Sequence, residues 1–191
     1  MLYYKYKSLE PFEHIADILN NERFYCAKVN ELNDPLEGLF QANIVDLGIQ
    51  TLYAQNDKTR VCSFSETIEE ILLWVHYANS FKGIVFEFEP NKILERVRYK
   101  NSLFVFNGEE NPKKIVYSTK IDIWKYEKEY RYIPENNNEK YLYGKLKSVT
   151  LGMKVDSEIR KIVGNICNYK HISIYKAKIN YKTTKVEREE I

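Results

Sequence analysis

The sequence is poor in the residues that build metal, redox and phosphate sites. Its three cysteines, Cys26, Cys62 and Cys167, are widely separated and form no Cys-x-x-Cys pair. That spacing argues against a zinc site, and an odd number fits a reducing cytoplasm better than a disulfide framework. The three histidines, His14, His76 and His171, lie in unrelated segments, and none forms a His-x-x-x-His pair. Seven glycines are scattered along the chain, so no glycine-rich phosphate loop is present. The Gly-x-Ser-x-Gly elbow of a Ser-His-Asp hydrolase is also missing. Met1-Leu2-Tyr3-Tyr4-Lys5 carries no apolar signal core, and no apolar run approaches the roughly 20 residues that span a bilayer. A net charge of +2 supplies no global basic field, so there is no strong general signal for nucleic-acid binding. The expectation is a cytoplasmic protein with no membrane contact and no metal.

What is present is aromatic and charged. Hydrophobic residues make up 44% and charged residues 29% of 191, in the range of globular proteins. That length buries a core without staples. Sixteen tyrosines and nine phenylalanines serve strand packing first, and stacking platforms second.

Periodicity predicts strands at Tyr3–Tyr6, Arg23–Ala27, Lys58–Phe64 and Gly83–Phe88, where Ile84, Phe86 and Phe88 share a face opposite Glu87. Further strands are expected at 103–106, Lys114–Tyr117, Ile123–Ile133, Tyr141–Leu151 and His171–Tyr181. Helices are expected around Phe12–Leu19, in the second half of Glu37–Gln55, at Ile71–Ala78, from Pro90 through Val97, and after an Asp156 cap. Many connections are too short for crossover helices. The fold class is therefore α+β, with a mixed, largely antiparallel sheet and several packing helices. A single domain is expected over 1–181, followed by a charged tail, 182–191, that frays.

Four polar clusters stand out. Asn33-Asp34-Pro35-Leu36-Glu37 reads as a turn, or as a loop carboxylate facing a cleft. In Cys62-Ser63-Phe64-Ser65, alternation puts Ser63 and Ser65 on one strand face, where small hydroxyls allow a ligand to approach. In Trp74-Val75-His76-Tyr77-Ala78, His76 is either structural or a proton carrier tuned near neutral pH. In Trp124-Lys125-Tyr126-Glu127-Lys128-Glu129-Tyr130-Arg131, a strand would bring Glu127, Glu129 and Arg131 to one face. That face is either a solvated ion pair or a charge-stabilising group held by an arginine.

These clusters, in this order after Tyr4-Lys5-Tyr6-Lys7-Ser8 and with Gly83-Ile84-Val85-Phe86-Glu87-Phe88 between the last two, resemble the uncharacterised bacterial family catalogued as domain of unknown function 2971. The resemblance runs over roughly residues 2 to 155. Lys7 stands where that family has arginine, and lysine lacks the planar fork. The resemblance implies an accessory bacterial protein, with ties to phage defence or toxin-like functions.

A more distant resemblance is to ADP-ribosyltransferase-like enzymes, which are similar in carrying a cation on an early strand, Ser-x-Ser on a middle one and Glu-x-Glu on a late one. Here these are Lys5 or Lys7, Ser63-x-Ser65 and Glu127-x-Glu129. The resemblance implies NAD as substrate. Glu129 would stabilise the ribosyl cation and Glu127 would act on the acceptor, a protein or nucleic acid. Lys5, Lys7, Tyr6, Ser63, Ser65 and Arg131 would contact the cofactor, with Trp74 or Tyr77 stacking on nicotinamide. His76, as a catalytic group, and Asn33 and Asp34 complete the candidates. Two other readings stay open: a non-catalytic ligand-binding or regulatory module, and a metal-dependent nuclease using Asp34, Glu37, His76 and the acidic pair.

Overall fold

The computed structural model describes residues 1–42, 47–101, 104–106 and 111–191. In chain order it contains β1 (Tyr3–Lys7), α1 (Phe12–Asn21), β2 (Arg23–Tyr25), β3 (Ala27–Lys28), β4 (Phe40–Ala42) and α2 (Leu47–Gln55). Then come β5 (Arg60–Ser65), α3 (Ile71–Tyr77), β6 (Ile84–Pro90), β7 (Glu95–Arg96), β8 (Arg98–Lys100) and β9 (Phe104–Phe106). The rest is α4 (Pro112–Tyr117), β10 (Thr119–Ile121), β11 (Glu129–Tyr132), β12 (Tyr141–Leu151), α5 (Ser157–Tyr169), β13 (Ser173–Asn180) and β14 (Lys185–Glu190). The architecture is α+β with mixed, largely antiparallel pairing. Chain contacts define two compact units. Unit 1 is Met1–Phe24, Phe64–Asn91 and Tyr143–Ile191; unit 2 is Tyr25–Ser63 and Lys92–Leu142. Among the described residues no helix is long and apolar enough to cross a membrane.

In unit 1, β6 pairs antiparallel with β1 on one side and β12 on the other. β13 continues parallel to β12, and β14 returns antiparallel. Residues Ile84 through Phe88 are all buried, as a central strand requires. Phe24 meets the rings of Phe64, Phe86 and Phe88 at 5.4, 5.7 and 4.8 Å, edge-on in each case, a geometry aromatic quadrupoles favour. Helix α1 buries Ile15, Ile18 and Leu19, the three- and four-residue spacing of one helix face. Glu87 is a carboxylate in this apolar strand. Tyr4 and Ser148, its neighbours on β1 and β12, donate to it at 3.0 and 2.6 Å, and Arg188 of β14 donates at 3.2 Å.

In unit 2, β3 pairs antiparallel with β5, and β7 with β11. β8 and β10 run parallel, as do β4 and β9. Its core gathers Val29, Phe40, Ile49, Leu52, Val61, Ile115, Val116, Tyr117 and Ile133.

Several local expectations are corrected. Lys114–Tyr117 is helical, within α4, because Pro112 opens the first turn and the Asn111 side chain accepts from the Lys114 N–H at 3.2 Å. Pro90 ends β6 rather than starting a helix, and β7 occupies Glu95–Arg96. The segment from Ile123 is not one strand. A 3-10 turn over Asp122–Glu127 ends at Lys128 in the left-handed region, φ 45°, and β11 starts only at Glu129. The tail is ordered as β14, since Val186 is buried and Arg188 is paired. Asp156 caps α5 as expected, accepting from the Glu158 N–H at 2.7 Å. Of the strand expected at 103–106, Leu103 lies outside the described residues, as do 43–46 in the expected helical stretch.

Candidate charge cluster in unit 2

Strand β11 alternates, so Glu129 and Arg131 project from one face. Arg131 is 1% exposed. Its Nε and Nη2 donate to Glu129 at 2.7 and 2.9 Å. Its Nη1 and Nη2 donate to Glu37 at 2.7 and 2.5 Å, and Nη1 also donates to the Tyr117 carbonyl at 3.0 Å. A guanidinium has five N–H groups, and these five bonds use them all.

Glu37 reaches Arg131 from the loop before β4. Asp34 shapes that loop by accepting from the Leu36 N–H at 3.0 Å, and Gly38 follows at φ 69°. A side chain at Gly38 would meet Asn56 Oδ1 at 2.7 Å and Val29 Cγ1 at 2.9 Å, so only glycine fits this turn.

Lys120 of β10 closes the cluster. Its Nζ lies 2.7 Å from Glu127, 3.4 Å from Glu129 and 3.6 Å from Glu37. The left-handed turn at Lys128 lets Glu127, at the end of the 3-10 turn, reach the same ammonium as Glu129. The cluster thus has three carboxylates and two cations, a formal charge of −1. None of the five side chains is more than 6% exposed.

Burial opposes ionisation of Glu129. The Arg131 and Lys120 charges, with hydrogen bonds from Arg131 and Ser63, outweigh it and hold the carboxyl down at about 2. Burial also disfavours the Lys120 ammonium, but Glu129, Glu127 and Glu37 raise its pKa overall. Half-buried Ser63, Tyr99 and Trp124 border the cluster. The Glu129 N–H donates to the Tyr99 hydroxyl at 2.8 Å. The Trp124 ring centroid lies 4.7 Å from Lys120 Nζ, and its indole N–H is buried with no partner among the described residues.

The structure therefore brings together Ser63, Glu127, Glu129 and Arg131 from the expected set. Lys120 and Tyr99 were missed. Glu37 entered through the Asn33–Glu37 cluster and the nuclease reading, not as a partner of Arg131. Lys120 lies seven residues before Glu127, outside the cluster read at 124–131, and pairs with it across the intervening 3-10 turn. Arg131 was expected to touch the cofactor, but in this arrangement it holds Glu129 and Glu37 instead. Asn33 is exposed, and Asp34 is committed to its turn.

The remaining candidates belong to unit 1. Trp74 is fully buried, stacked on Phe81 at 5.3 Å, and donates to the Ile68 carbonyl at 2.9 Å. That makes it a core residue with no open face for nicotinamide. Tyr6 packs edge-on against Trp74 and donates to the Thr67 carbonyl at 2.9 Å. Ser65 accepts from the Thr67 N–H at 3.1 Å. Lys5 Nζ sits 5.3 Å from the Phe64 ring centroid. Lys7 and Tyr77 are half-buried, and His76 is exposed against Tyr77. Among the described residues no group of three or more His, Cys, Asp or Glu is arranged to hold a metal.

No family model, curated protein or solved structure matches the chain.

Proposed function

We propose that the unit 2 cluster is the catalytic centre of an NAD-using, ADP-ribosyltransferase-like enzyme of bacterial defence or toxin type. The observation that carries this reading is the hydrogen bond from Ser63 on β5 to Glu129 at the start of β11, with Glu127 on the turn just before it. Breaking the nicotinamide–ribose bond sends the electron pair out with nicotinamide and leaves a cation on the ribose. A carboxylate held ionised by its surroundings stabilises that cation. Glu129 fits the electrostatic role and not that of a general acid, because its proton is lost far below neutral pH. Glu127 would take the proton of the acceptor nucleophile as that atom bonds to the ribose carbon.

One observation favours a second reading, a ligand-binding or regulatory module. Every N–H of Arg131 is already used inside the protein, so the cluster stands complete without a ligand. Incubation with NAD and bacterial lysate, followed by mass spectrometry for added ADP-ribose, separates the two. Transfer that Glu129→Gln abolishes supports the enzyme. Absence of transfer together with absence of calorimetric NAD binding leaves the module.

A further inference from the structure

The cluster poses a charge problem that none of the expected site residues solves. Glu127 and Glu129 both approach one buried point, and two anions in a poorly polarisable interior resist being ionised together. Arg131 offsets the Glu129 charge and also faces Glu37, but its five N–H groups make no bond to Glu127. The Lys120 ammonium faces both members of the pair. It lies 2.7 Å from Glu127 and 3.4 Å from Glu129 and is itself 4% exposed. The groups facing it are Glu37 from the loop before β4, Glu127 from the 3-10 turn, Glu129 and Arg131 from β11, and the Trp124 ring. Tyr99 of β8 bonds to the Glu129 backbone and also faces the pair.

We infer that Lys120 is the positioning residue of this site: its ammonium holds the Glu127 and Glu129 carboxylates side by side as two anions, one for the ribose cation and one for the acceptor. As a role in catalysis this rests on the transferase reading. As a statement about charge it is tested without NAD.

The test compares wild type, Lys120→Met, Lys120→Arg and the double variant Lys120→Met/Glu127→Gln. In protein labelled at the glutamate side-chain carbons, carbon-13 titration follows the carboxyls. In Lys120→Met one carboxyl of the pair is expected to take up its proton about two pH units or more above its wild-type position, and Lys120→Arg restores the wild-type curve. A folded Lys120→Met protein with unchanged carboxyl titrations overturns the inference. Where Lys120→Met does not fold, adding Glu127→Gln is expected to recover folding, because it removes one of the two repelling anions. A double variant no better than Lys120→Met assigns Lys120 to packing and overturns the inference.

With NAD, Lys120→Met is expected to lose on the order of 100-fold in nicotinamide release at neutral pH, with Lys120→Arg recovering most of it. Full activity in Lys120→Met overturns the catalytic role. A wild type that neither binds nor cleaves NAD sinks the transferase reading and the catalytic role with it, while the titration still decides the charge role.

Discussion

Glu37 and Arg131, 94 positions apart in the chain, meet as a two-pronged ion pair, with guanidinium nitrogens 2.7 and 2.5 Å from the two carboxylate oxygens. Both side chains are almost completely buried. A pair of this kind contributes little compared with apolar residues of the same shape, but losing one partner strands a buried charge. Glu37→Gln is therefore expected to cost about 3–5 kcal/mol in urea unfolding. By contrast, Asp17 and Arg23 pair at 2.8 Å with side chains 33% and 26% exposed, and Asp17→Asn should cost no more than about 1 kcal/mol. Equal losses at the two sites would contradict the placement of Glu37.

Acid sensitivity follows from Glu129. Its folded pKa, about 2, lies below the ordinary 4.5. A carboxyl depressed by folding contributes stability that is fully present above the unfolded value and is lost as pH falls through the folded one. Unfolding midpoints measured from pH 7 down to pH 2 should fall within that lower window, and Glu129→Gln should flatten the fall. An unchanged pH dependence in that variant would show that Glu129 is not the group responsible.

The three thiols should be silent in the folded protein. Cys26, Cys62 and Cys167 are all buried and form no disulfide, and burial pushes the Cys167 thiol up to about 11. A thiol reacts as the thiolate, so modification at neutral pH should track global unfolding across a urea series. Rapid modification without denaturant would place at least one cysteine at the surface.

The last strand is an integral part of unit 1. Arg188 donates to both Glu87 oxygens and stacks 4.8 Å from the Tyr175 ring centroid. Removing it by Arg188→Met leaves Glu87 to Tyr4 and Ser148 and should cost about 1–3 kcal/mol. The same change should make residues 182–191 an early protease target. Unchanged stability and digestion would mean that β14 is held without this contact.

Periodicity made most regular elements legible: the Ile15, Ile18 and Leu19 face of α1, the alternation of β6, and the Asp156 cap. It failed where one cap residue overrode side-chain preference. Ile115, Val116 and Tyr117 suit a strand, yet Asn111 and Pro112 start a helix. It failed again at Lys128, whose left-handed backbone breaks the expected strand without any glycine to signal it. The acidic pair and Arg131 could be seen because they lie within five residues of one another. Glu37 could be seen as part of the Asn33–Glu37 cluster, but its pairing with Arg131, 94 positions on, leaves no local pattern, and Lys120, seven residues before Glu127, falls just outside the cluster at 124–131. Trp74 illustrates the opposite error: an aromatic beside polar residues looks like a ligand platform until its indole N–H is found bonded inside the core.

The central claim is that Glu129, oriented by Ser63 and held ionised by Arg131 and Lys120, promotes cleavage of NAD. The most direct measurement is the rate of nicotinamide release from saturating NAD by wild type and by Glu129→Gln. The expected result is measurable release by wild type and a fall on the order of 100-fold or more in the variant, with its folding checked by circular dichroism. Equal release from both proteins, or none from a wild type that also fails to bind NAD, would contradict the claim.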